Sequence, residues 1–87
     1  MINDTIKFKN DKYVCTIHFH RSMILVPVSA LENFLFLKSY IEYIEYDMQR
    51  DYENGCYSLK LAGKSLTNIL RTRFEIVNYF IKNHMNK

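Results

Sequence analysis

From Thr5 to Phe19 apolar and polar residues alternate with a single interruption. Ile6 and Phe8 fall on one side of the first run and Lys7 and Lys9 on the other, and beyond Asn10-Asp11 the alternation resumes through Tyr13, Cys15, Ile17 and Phe19. A period of two marks a half-buried strand, and the two residues between the runs, both tolerant of positive φ, predict a tight hairpin turn. In that register Phe8 faces Tyr13 and Ile6 faces Cys15, so both apolar sets share one face without a shift. Arg21-Ser22 predicts a second turn into a third strand over residues 23–26. That strand sets Ile24 and Val26 across from Phe19 and Ile17, and Pro27, lacking a backbone donor, closes it.

Beyond Pro27 the period lengthens. Ser29-Ala30-Leu31-Glu32 has the form of a capping box, which starts a helix near Ala30, and Asn54-Gly55 supplies a left-handed stop after about Glu53. On the wheel Phe34, Leu37, Ile41, Ile44 and Met48 make one stripe, with Leu35, Phe36, Tyr43 and Tyr46 on the far side. A helix apolar on two sides is either enclosed between layers or half of an interface, so Leu35, Phe36, Tyr43 and Tyr46 are expected at a homodimer or other second interface. Cys56 to Ala62 alternates weakly and predicts a fourth strand, with a break at Gly63. Ser65 or Thr67 caps a last helix carrying Leu66, Ile69, Leu70, Phe74, Val77, Phe80 and Ile81 at helical spacing. The order β-β-β-α-β-α predicts an α+β fold, a small antiparallel sheet with two helices packed on one face, as one domain over residues 1–87.

Composition narrows the class. With 87 residues, 48% hydrophobic, 15% aromatic and 24% charged, the chain is globular rather than disordered and too short for two domains. Two cysteines are too few for a disulfide scaffold, so a reducing, cytoplasmic setting is expected. The start Met-Ile-Asn-Asp-Thr lacks a basic segment followed by an apolar run, and Met23 to Val28 is the longest apolar stretch and contains a proline. Neither secretion nor membrane spanning is expected. Scarce Ala, Gly and Pro beside abundant Ile, Asn, Lys, Tyr and Phe fit AT-rich coding, as in a low-GC bacterium, a phage or a mobile element. The net charge of +3 is mild but unevenly spread. Residues 1–31 carry four basic and two acidic groups, residues 32–53 two and six, and residues 54–87 six and one. An acidic middle followed by a basic end attracts within the fold or selects an oppositely patterned partner.

Chemistry is thinly marked. His18 and His20 lie on one face of a strand, but a metal needs a third ligand; Cys15 points away, and only His84 or a distant carboxylate remains, so no metal site is expected. As an acid–base pair they would suit RNA cleavage with Lys7 or Arg21 as phosphate electrophile, yet no pocket accompanies them. Gly63-Lys64-Ser65 copies the end of a phosphate-binding loop, but position 58 is Ser where that motif needs glycine. Arg73 falls inside the apolar stripe of the last helix and calls for a carboxylate, with Glu45 the expected structural partner. Arg71 and Glu75, one turn apart, predict a surface pair. The tyrosines at 40, 43, 46 and 52 suit rim packing more than base stacking.

No catalytic set and no cofactor motif is legible. The outer hairpin face, Lys7, Lys9, Lys12, Val14, His18 and His20, joined by Arg21, Met23 and Leu25, combines cations with exposed aliphatics. It is the expected partner-binding surface, unless a helix covers it. The sequence therefore predicts a small non-catalytic protein-binding module that inhibits or neutralises a larger partner, as an immunity protein, antitoxin or phage-encoded inhibitor does. An RNA-binding module on the same basic face, and a ribonuclease using His18 and His20, are the alternatives.

Overall fold

The computed structural model of the chain describes residues 5–81. Two strands, β1 (Thr5–Lys9) and β2 (Lys12–His20), open it, followed by a 3-10 turn at Arg21–Met23 and helix α1 (Val28–Ile41). Strands β3 (Glu45–Asp51) and β4 (Cys56–Gly63) and helix α2 (Leu66–Tyr79) complete the order β-β-α-β-β-α. The class is α+β, with four antiparallel strands in the order β1-β2-β4-β3.

The first hairpin forms as its pattern dictates. Asn10 and Asp11 have φ of 54° and 64°, the left-handed values a two-residue turn requires, and Phe8 pairs with Tyr13 and Ile6 with Cys15. Beyond β2 the chain departs from the expected order. Residues 23–26 form no third strand. Ser22 N donates to His20 Nδ1 at 3.1 Å, His20 N contacts Met23 Sδ at 3.3 Å, and Arg21 N donates to Gly55 O at 2.8 Å. Ile24 then makes one isolated bridge to Ile81, and Leu25 N donates to Phe80 O at 2.8 Å. The position beside β2 goes to β4, which supplies an eight-residue ladder partner where 23–26 supplies four residues ending at a proline.

Helix α1 also differs from its expected span. Its N-cap is Pro27, whose carbonyl takes Ala30 N at 2.9 Å, and the side chain of Ser29 caps nothing because it already lies inside the helix. The helix ends at Ile41, and Tyr43, at φ 56°, is the left-handed residue that turns the chain. Residues 45–51, which the wheel absorbs into one long helix, obey a period of two: Tyr46 and Met48 face the helices, and Glu45, Asp47, Gln49 and Asp51 face away. Gly55 is left-handed as expected, at φ 70°, but closes the β3–β4 hairpin, with Gly55 N on Asp51 O at 2.8 Å. Ser65 caps α2 by accepting from Asn68 N at 3.2 Å.

Both helices pack on one face of the sheet. Cys15, Ile17 and Phe19 of β2 and Leu59 and Leu61 of β4 bury against Leu31 and Leu35 of α1 and Ile69 and Ile76 of α2, with Ile44 and Ile81 closing the core. Removing such a side chain from water contributes about 1.5–3 kcal/mol each, so this layer holds the opposite sheet face in place without touching it. Among the described residues no helix is long and apolar enough to cross a membrane.

Candidate functional site

The face of the sheet turned away from the helices is open. Strand register sets it out in rows: Lys7, Val14, Ala62 and Glu45; then Thr16, Lys60 and Asp47; then His18, Ser58 and Gln49; then His20, Cys56 and Asp51. Lys7, Lys9, His18 and His20 are exposed, and Lys12 and Val14 are partly covered. Charge grades across this face, from the lysines of β1 and β2 to the carboxylates of β3. Lys12 Nζ, on β2, meets Glu45 Oε2 at 2.5 Å. His18 Nδ1 lies 2.9 Å from Ser58 Oγ and His20 Nδ1 2.8 Å from Ser22 Oγ, so each ring is oriented by a serine. Among the described residues no three His, Cys, Asp or Glu groups come together to hold a metal ion, and His84 lies outside them.

Two members of the expected surface are elsewhere. Met23 packs against the core, and Leu25, exposed, sits beside the end of α2 rather than on the sheet. The expected third strand would have carried both onto the hairpin face; without it they leave that face. Arg21 stays at its border, exposed, beside the Gly55 turn. What remains is mostly polar; His18 and His20 are its aromatic side chains, and carboxylates line its β3 side.

The ion pairs also regroup. Glu45 is on the open face, on the other side of the sheet from α2, so it engages Lys12 and not Arg73. Arg71 pairs with Glu42 rather than Glu75: its Nη1 lies 3.2 Å from Glu42 Oε2, while Glu75 Oε1 takes Lys38 Nζ at 3.0 Å. Lys38 also reaches Glu42 Oε2 at 3.2 Å and lies 5.5 Å from the centroid of the Phe34 ring. Partial burial works against the charge on Lys38, but hydrogen bonds to Glu75 and Glu42 outweigh it and hold its pKa above the ordinary value. Arg50, on the helix side of β3, pairs with Glu32 of α1 and donates to Tyr52 Oη at 3.1 Å. These contacts tie α1 to both α2 and β3 and so fix which side of α1 faces outward.

From Phe36 onward that outer side is apolar. Phe36 is 60% exposed, Leu37 54%, Tyr40 76% and Ile41 65%, and Tyr43 at the helix end reaches 82%. No charged residue interrupts them between Glu32 and Glu42 except Lys38, which is turned toward α2. Of the residues expected at a second interface, Phe36 and Tyr43 are here, and Tyr46 is on β3, sharing a shallow concavity with Ser39 and Tyr43. Leu35 is not available to any partner; it is 1% exposed and faces the sheet. On a wheel phased on a helix that runs on through Met48, Leu37 and Ile41 fall inside. Ending the helix at Ile41 lets Leu31 and Leu35 set the buried side, about a third of a turn away.

Comparison with known protein families, characterised proteins and solved structures finds no match for this chain.

The uncovered half of α1 was foreshadowed by one signal, a helix with no polar side. Leu37 and Ile41, its aliphatic members, belong to the expected buried stripe and stand exposed in the structure. The left-handed Tyr43 and the Lys38 cluster have no signature in the local sequence.

Proposed function

We propose that this chain is a non-catalytic protein-binding module that inhibits or neutralises a larger partner, in the manner of an immunity protein, antitoxin or phage-encoded inhibitor. Its docking surface is the outer side of α1: Phe36, Leu37, Tyr40 and Ile41, with Tyr43 at the end. One observation carries the reading. Four consecutive outward positions on a helix held rigidly at its other side are apolar and more than half exposed, two of them aromatic. Side chains of this kind cost free energy in water and release it on burial, and Tyr and Phe lose little rotamer freedom when they dock. Action in the cytoplasm accords with a chain that carries only two cysteines, Cys15 and Cys56.

The test is capture of a defined protein, in stoichiometric amount, by the immobilised chain from the cells that carry it. Leu37→Asp with Tyr40→Asp is expected to weaken capture at least tenfold with an unchanged circular dichroism spectrum, whereas Lys7→Glu with His18→Ala on the sheet leaves it intact. Capture that survives the α1 change, or an eluate whose absorbance ratio reports nucleic acid and no protein, overturns the proposal.

A further inference from the structure

We propose that the two edge strands of the sheet recognise each other between copies of this chain, β3 of one copy pairing with β1 of the next. Among the described residues β1 and β3 each have a neighbour on one side only, so each presents a row of backbone donors and acceptors. The two rows are opposite in direction. β1 is antiparallel to β2, β2 to β4 and β4 to β3, so β1 and β3 themselves run antiparallel, and a copy set beside the first in the sheet plane continues the ladder with both helix layers on the same side.

Side-chain chemistry selects this contact over the others. On the open face β1 presents Lys7 and Lys9, and β3 presents Glu45, Asp47 and Asp51. On the helix side β1 presents Ile6 and Phe8, and β3 presents Tyr46 and Met48, with Arg50 beyond them engaged by Glu32. A β3–β1 pair therefore matches acid to base on one face and apolar to apolar on the other. Pairing β1 with β1 sets lysine against lysine, and pairing β3 with β3 sets carboxylate against carboxylate, both unfavourable. Phe8, 63% exposed on the side where the core lies, is left uncovered by its own helices, which pack over β2, β4 and β3. The widths also agree: four strands at about 4.8 Å and two helices at about 9–10 Å each occupy about 19 Å, so copies repeat without a gap in either layer. Because the two surfaces differ, association is head to tail and does not stop at a dimer unless the sheet's twist closes a ring.

This inference does not rest on the α1 docking reading, and the variants that test it leave α1 unchanged. Sedimentation velocity and light scattering of the full chain at low salt are expected to give a mass above 10.5 kDa that keeps rising with concentration. Strand-edge contacts this short place the midpoint at about millimolar or somewhat below, and added salt raises it. Lys7→Glu with Lys9→Glu, and separately Asp47→Lys with Gln49→Lys, each weaken association at least tenfold, and an equal mixture of the two variants restores it. A mass of 10.5 kDa at every concentration, or association that both charge reversals leave unchanged, or a mixture that stays monomeric while each variant keeps the wild-type dichroism, overturns the proposal. Should a reversal variant unfold, the unaltered chain decides: association that persists undiminished at about 1 M salt, where the screening length is about 3 Å, refutes charge-matched pairing.

Discussion

Lys38 Nζ, on α1, lies 3.0 Å from Glu75 Oε1, on α2, and this single cation also holds Glu42. Its side chain and that of Glu42 are largely withdrawn from solvent, Glu75 rather less, and Arg71 supports Glu42 from the edge. The cluster joins the two helices at the level where α1 ends, so the outer apolar side of α1 inherits its orientation from a buried-side ion group.

Replacing Lys38 by Met keeps the aliphatic stem against Phe34 but leaves Glu42 and Glu75 without their shared cation. We expect a loss of about 1–2 kcal/mol in urea unfolding, below the 3–5 of a fully buried pair because the heads keep some water. The pKa of Lys38 is raised above its ordinary 10.5, so the charge contributes in full below that value and its contribution is lost as pH rises through the folded-state value. The gap between wild type and Lys38→Met should be flat through neutral pH and close above about pH 10.5. A gap that persists undiminished at alkaline pH would refute this account.

Gly55 is required twice over. Its φ is 70°, and a β-carbon there would stand 2.9 Å from His20 Nε2 and 3.1 Å from Arg21 Nε. Gly55→Ala is therefore expected to cost about 1–2 kcal/mol, the left-handed conformation alone accounting for about 1. In a His20→Ala background the part due to the imidazole should disappear, while the conformational part and the contact with Arg21 remain. Thermal melts of the four proteins in the cycle separate the two, and equal cost in both backgrounds would show that the ring is not in the way.

Tyr43 is a tyrosine where a helix end prefers glycine. At φ 56° it bears a conformational cost of about 1 kcal/mol that Tyr43→Gly removes, offset in part by the greater freedom of glycine in the unfolded chain. We expect the variant to match or exceed the wild type in stability by up to about 1 kcal/mol, yet to bind the captured partner more weakly. Stability and binding moving in opposite directions would mark the side chain as kept for contact. Unchanged binding would mean that its exposure has no such role.

Parts of the fold were legible for local reasons. The period of two through Phe8 and Tyr13, with two turn residues tolerant of positive φ between the runs, admits one hairpin register, and that register forms. Ser65 before an amphipathic run starts α2. The misreadings share a cause. Glu45 to Asp51 alternates but also fits a helical wheel, and the stop that separates it from α1 is Tyr43, a residue with no turn signature. Met23 to Val26 is apolar enough for a strand, yet what it joins is the end of α2, through Ile24 and Leu25. Of the candidate surface, the lysines and histidines of the hairpin were found where alternation put them, while Leu35 and Leu37 exchanged places because the phase of a helix depends on where it ends.

Alternation, turn residues and caps belong to segments of a few residues, and the chain by itself settled them: the hairpin, the start of α2 and the α+β class. Which strand lies beside β2, and which side of α1 meets water, were decided only in the folded molecule. Segments 23–26 and 56–63 both have the apolar content to lie along one edge of β2, and the longer ladder without a proline takes it. For α1, with apolar residues on every side, no face is preferred locally, so packing of Leu31 and Leu35 on the sheet and the pull of Glu75 on Lys38 choose the side that remains exposed.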